Sequence, residues 1–142
     1  MTGIDVPTEV APGLYLSGSR QPFPALDLDI DVVMCRKGEA WYKPKARRRV
    51  HLPIEDVTFA DADPYAVTAL AEDVAACLRR RERVLVRCHW GLERSAVVVA
   101  LALHRLMPDA SLDLVVKHLR FARDFTVLAE DSVALDFLRS LW

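Results

Sequence analysis

A chain of 142 residues with a net charge of -1 is long enough for one domain with a real core, and it carries no global basic field that would point to nucleic acid or a membrane surface. Hydrophobic residues make up 52% and charged residues 27%, the balance of an ordinary globular protein. The odd set Cys35, Cys77 and Cys88 argues against a disulfide framework and for a reducing, cytoplasmic setting.

The start of the sequence, MTGIDVPTEV, has neither the basic nor the apolar region of a signal peptide. Gly13 to Ser17 reads as a short strand after a Pro-Gly turn, and Asp31 to Cys35 as a buried strand. Residues 36 to 49 read as a basic, irregular connection, whose run from Lys43 to Arg49 is expected to be a solvated loop. Val50 to Ile54 reads as a strand kept short by Pro53. Asp63-Pro64 is a helix start, followed by Val67, Leu70, Ala71, Val74 and Leu78 at helical spacing. Arg79 to Arg83 turn the chain into a buried strand, Val84 to Val86. A helix from about Arg94 to Met107 is apolar on nearly all sides and should be central to the core; its longest apolar run, Ala96 to Leu103, is too short to span a bilayer. Ser111 caps a helix to about Arg123, and a last helix covers about Ala129 to Leu141. Alternating strands and helices predict a single α/β domain over 1–142. Its mainly parallel central sheet of about four to five strands would be flanked by helices.

Between strand and helix lies Arg87-Cys88-His89-Trp90-Gly91-Leu92-Glu93-Arg94-Ser95. If His89 to Arg94 curl with their N–H groups inward, they form an anion-binding nest at a helix N-terminus, with Gly91 relaxing the tightest point. The positive end of the helix favours a thiolate at Cys88, and Arg94 offers a planar fork for two phosphoryl oxygens. The Cys-x5-Arg spacing alone is weak, since Cys77 and Arg83 share it. That pair lacks an intervening glycine and sits at the tail of a helix, where Cys77 reads as a small buried hydrophobe.

This segment resembles the signature of the cysteine-dependent protein phosphatases, His-Cys-x-x-Gly-x-x-Arg-Ser/Thr, and within them the compact dual-specificity phosphatases. "PGLYLSG" (12 to 18) looks like that family's first strand, and "HLPIEDVTFADADPYAVTALAEDV" (51 to 74) like its general-acid loop and following helix. The resemblance implies a protein-tyrosine-phosphatase-like fold and a phosphate loop of His89, Trp90, Gly91, Leu92, Glu93 and Arg94. It implies Cys88 as nucleophile, Arg94 as phosphate ligand, Asp56 as general acid and base, and Ser95 as hydrogen-bond donor to the departing thiolate. Glu55 is a rival acid one residue away, and Cys35 is a candidate to approach Cys88. The resemblance further implies metal-independent hydrolysis of phosphotyrosine, with phosphoserine and phosphothreonine left open as further substrates, on a phosphorylated protein, with no cofactor, metal, nucleic acid or membrane partner. Two departures stand out: Arg87 replaces the usual histidine, and Glu93 puts an acid inside the loop, which should disfavour highly charged lipid headgroups. A weak phospho-binding module, an RNA 5′-phosphatase, a phosphoinositide phosphatase and a rhodanese-like sulfurtransferase stay open as alternatives.

Overall fold

The computed structural model describes residues 6–20, 22, 26–39, 41–55 and 58–142. Strands β1 (Thr8–Ala11) and β2 (Leu14–Ser17) form an antiparallel hairpin through Pro12-Gly13. Strands β3 (Leu28–Val33) and β4 (Ala46–His51) follow, then helix α1 (Pro64–Arg79), strand β5 (Val84–Arg87) and helix α2 (Arg94–Leu106). Helices α3 (Leu112–Ala122) and α4 (Val133–Leu141) complete the chain. The sheet order is β1-β2-β5-β3-β4, and every pair except β1 with β2 is parallel. This is the α/β architecture with a mainly parallel sheet expected from the alternation of elements.

Three of the four helices start on a side-chain cap. The Asp63 carboxylate accepts from the Tyr65 N–H at 2.9 Å, ahead of Pro64 in the first turn of α1. Ser111 and Ser132 cap α3 and α4 through the N–H groups of Leu114 and Leu135. Every α2 residue from Ser95 to Leu103 is buried, which accounts for an apolar surface on all its sides. The main core joins residues of all four helices to one face of the sheet, including Val84, Val86 and Cys88. Leu85 belongs instead to a small second cluster with Leu28, Tyr15, Leu26 and Ala46. Side chains alternate along a strand, so Arg87 shares the far face with Leu85.

That far face holds an ionic ladder across three strands. Arg87 donates through Nε and Nη2 to both oxygens of Asp31, each at 2.9 Å, and both side chains are fully buried. Arg49 of β4 donates Nε to Asp31 at 2.7 Å and also bonds the Pro44 carbonyl. The Arg87 guanidinium lies 5.3 Å from the centre of the Trp41 ring.

Several boundaries differ from the sequence expectation, among them β3, which runs Leu28–Val33 rather than Asp31 to Cys35. The basic run is loop only over Lys43 to Lys45: Ala46 to His51 is the edge strand, in register with Leu28 to Val33 of β3, and the expected strand at Val50 to Ile54 begins four residues earlier and ends before Pro53. Its charges are paired, Arg47 with Asp29 at 3.1 Å, Arg48 with Asp73 at 3.0 Å and Arg49 with Asp31. Charged side chains on an edge strand block further pairing. Strand β1 was not expected at all, since only Val10 of its four residues is buried and no alternation marks it. Helix α4 starts at Val133, because Ser132 rather than Ala129 supplies its cap. Among the described residues no helix is long and apolar enough to cross a membrane.

Candidate active site

Strand β5 lies at the centre of the sheet, and its last residue, Arg87, delivers the chain to Cys88 between the C-terminal ends of β2 and β3. Ligand sites of parallel sheets lie at such ends. From Cys88 the loop runs to the start of α2, and its carbonyls are all engaged by the surrounding scaffold. Cys88 O accepts from Ser19 Oγ at 2.8 Å, and His89 O from the Ser19 N–H at 3.1 Å. Trp90 O and Gly91 O accept from Arg123 at 3.2 Å and 2.8 Å. Leu92 O accepts from the Leu128 N–H, and Glu93 O from the Val97 N–H, both at 3.0 Å. A trans peptide points its C=O and N–H in opposite directions, so engaging the carbonyls outside turns the amides inward. The Gly91 N–H indeed points at Cys88 Sγ, 3.3 Å away.

Gly91 has φ 70, and a Cβ there would lie 2.3 Å from the Ser17 carbonyl carbon and 2.5 Å from Arg123 Nη2. Only glycine fits that passage. Ser95, in the first turn of α2, places its hydroxyl 3.1 Å from Cys88 Sγ in a buried contact.

Arg94 is held by Glu39. Its Nη1 donates to Glu39 Oε1 at 2.7 Å and lies 3.3 Å and 3.4 Å from the carbonyls of Met34 and Ile54; its Nη2 donates to Glu39 Oε2 at 3.1 Å. A guanidinium has five N–H groups. This arrangement uses the end-on edge and, among the described residues, leaves the Nε and Nη2 hydrogens of the side-on edge, the fork that matches two phosphoryl oxygens. Burial opposes the Arg94 charge, but the Glu39 hydrogen bonds and the nearby Cys88 outweigh it and hold the guanidinium above its ordinary value. Burial likewise opposes ionisation of Glu39, and Arg94 together with the Arg36 N–H more than offsets it, keeping the carboxyl below the usual range.

Two cavities meet at the loop and share Trp90, Glu93 and Arg94. One, of about 520 Å³, is walled by Ile54, Phe59 and His89; the other, of about 510 Å³, by Cys88, Leu92 and Thr126. The Trp90 ring is half-exposed and covered by the Arg20 guanidinium at 3.6 Å. His89 Nδ1 lies 3.5 Å from Glu39 Oε2.

Several solved structures share this architecture. Human DUSP28 aligns with 95% of this chain and 91% of its own at 19% identity and a TM-score of 0.73. Tk-PTP in its active form aligns over 95% of both chains at 20% identity, also with a TM-score of 0.73. A mouse putative dual specificity phosphatase complexed with zinc tungstate aligns over 95% of this chain and 85% of its own at 22% identity, with a TM-score of 0.75. The fold is that of the dual-specificity phosphatases. No protein-family model matches the sequence, and no curated protein is significantly similar to it.

Within this dual-specificity-phosphatase fold the residues singled out in the sequence divide clearly. Cys88, Arg94 and Ser95 come together with the loop from His89 to Glu93. Asp56 lies outside the described residues, while Ile54 and Phe59 on either side of it in sequence wall the larger cavity. Its rival Glu55 accepts from the Lys37 N–H at 3.2 Å and lines neither cavity. Arg87 points away from Cys88 into the far-face ladder, so the loop and not this side chain surrounds the thiol. Cys77 is buried at 0% exposure, as expected of a small hydrophobe. Cys35 is a free thiol whose Sγ lies 3.0 Å from Ser19 Oγ, and burial pushes it up despite that hydrogen bond. Among the described residues no cluster of three metal-ligating side chains occurs.

Glu39, Ser19 and Arg123 were missed. Each works through a partner 55, 69 or 32 positions away in sequence, and no local pattern marks such a pairing.

Proposed function

We propose that the protein is a phosphatase that hydrolyses phosphate monoesters through a cysteinyl-phosphate, with phosphotyrosine on proteins as its main substrate. The observation that carries this reading is the environment of Cys88 Sγ, with the Ser95 hydroxyl at 3.1 Å and the Gly91 N–H at 3.3 Å, beside a guanidinium with its side-on fork uncommitted. Phosphate oxygens would take the inward amides and the Arg94 fork, setting phosphorus above the sulfur. The Cys88 thiolate attacks phosphorus as the ester oxygen departs, and Asp56 donates its proton to that oxygen. Asp56 then takes a proton from water as the water oxygen attacks phosphorus. The sulfur leaves as thiolate, stabilised by the Ser95 hydroxyl, and no metal is needed for any step. Ile54, Phe59 and Trp90 supply apolar walls for a phenyl ring, which favours phosphotyrosine over the shorter aliphatic esters.

The test is a panel of phosphotyrosine, phosphoserine and phosphothreonine peptides, phosphoinositides and 5′-triphosphorylated RNA, run with excess chelator. Phosphotyrosine turnover is expected to be fastest, insensitive to chelator and abolished in Cys88→Ser. Asp56→Asn should slow phosphotyrosine by about 10² to 10⁴-fold and an activated nitrophenyl ester less. Turnover that survives Cys88→Ser, or that needs a divalent ion, overturns the mechanism.

A further inference from the structure

We propose that Arg123 is a positioning residue that orients two successive peptide groups of the phosphate loop toward the anion. The proposal deepens the phosphatase reading and rests on it. Of the six loop carbonyls from Cys88 to Glu93, those of Trp90 and Gly91 are the pair engaged by a charged side chain. The Trp90 carbonyl and the Gly91 N–H belong to one peptide plane. Arg123 Nη2 holds the carbonyl on the outside at 3.2 Å, and the N–H of the same plane faces Cys88 Sγ on the inside. The next plane follows the same rule. Arg123 Nε takes Gly91 O at 2.8 Å, which turns the Leu92 N–H to the inner side.

The guanidinium is itself anchored from behind. Nη1 donates to Thr8 Oγ1 at 3.0 Å and to Val6 O at 3.2 Å, so one planar group spans the loop and the first strand. Its backbone is the C-cap of α3. Gly91 is thus pressed between the Ser17 backbone and Arg123 Nη2, the two groups that a Cβ would strike. A lysine at 123 keeps the charge but cannot reach two carbonyls with a fixed fork.

The test uses the full chain with inorganic phosphate as probe. Phosphate affinity is read from protection of Cys88 against iodoacetamide, kcat and KM from a phosphotyrosine peptide, and folding from the melting temperature. In Arg123→Lys the dissociation constant for phosphate should rise about tenfold, the loss of one charge-assisted hydrogen bond, and kcat should fall with it. Thr8→Val, which removes only an outer anchor, should move both in the same direction by less. In Arg123→Ala, added methylguanidine should restore phosphate affinity; if that variant does not fold, Arg123→Lys decides. Phosphate affinity in folded Arg123→Lys within about twofold of the parent overturns the proposal. So does a lowered melting temperature with affinity unchanged. A parent that binds phosphate yet hydrolyses no ester sinks the phosphatase reading while the affinities still judge Arg123. A parent that binds no phosphate sinks both.

Discussion

Glu39 brings the least expected charge to the site: a carboxylate beside the arginine meant to receive an anion. Its two oxygens occupy the end-on edge of Arg94 and fix the plane of the guanidinium, so the remaining fork is aimed before substrate arrives. Glu39→Gln keeps the shape and loses the charge. It should lower kcat/KM for a phosphotyrosine peptide by about 10- to 100-fold, the worth of a charge-assisted pair at about 1.5–3 kcal/mol. The folded-state pKa of Glu39 lies below its unfolded value, so its contribution to stability is present above about pH 4.3 and fades as pH falls through the folded pKa. Urea unfolding of parent and variant should therefore differ at neutral pH and converge in acid; equal midpoints at neutral pH would remove Glu39 from this role. Cys88 was legible in the sequence because glycine, arginine and serine follow it in a short loop between two apolar runs. Glu39 was not, since Lys37-Gly38-Glu39 looks like any polar turn until folding carries it to Arg94.

At the scale of elements the loop from Cys88 to Glu93 is built by what lies outside it. Its tightest passage runs against the end of β2, where Gly91 meets the backbone of Ser17. Backbone cannot yield as a flexible side chain does. Gly91→Ala should displace the loop and lower turnover by at least about 10²-fold, the cost of misplacing reacting groups by roughly 1 Å. Phosphate binding should weaken in parallel; a variant with parental kinetics would mean that the loop has slack at this point. Helices α1 and α3 were readable because Asp63 and Ser111 cap them and the apolar spacing of α1 is regular; the start of α4 was not, because its Ser132 cap went unread. Strand β4 was misplaced because Arg47-Arg48-Arg49 has low strand propensity. What makes it a strand is its parallel ladder with β3, with acidic partners on β3 and α1 for its arginines, and no local window contains either.

Across the whole molecule the two faces of the sheet do different work. One packs the helices and presents Cys88; the other carries Arg87, Asp31 and Arg49 in a ladder that binds β5, β3 and β4 together. Asp31→Ala leaves two guanidinium groups without their shared carboxylate. It should cost about 3–5 kcal/mol in urea unfolding, because breaking a buried pair strands the charge that remains. A loss below about 1 kcal/mol would place the ladder among solvent-exposed pairs. The partners of the loop carbonyls come from Ser19, Val97, Arg123 and Leu128, so they are spread along most of the chain. During synthesis Cys88 joins the chain 35 residues before Arg123 and 40 before Leu128. Until they arrive it sits in an unfinished loop. On the proposed function, nascent or partly unfolded copies carry the Cys88 thiol without a built anion site, and competence comes at the last stage of folding rather than the first.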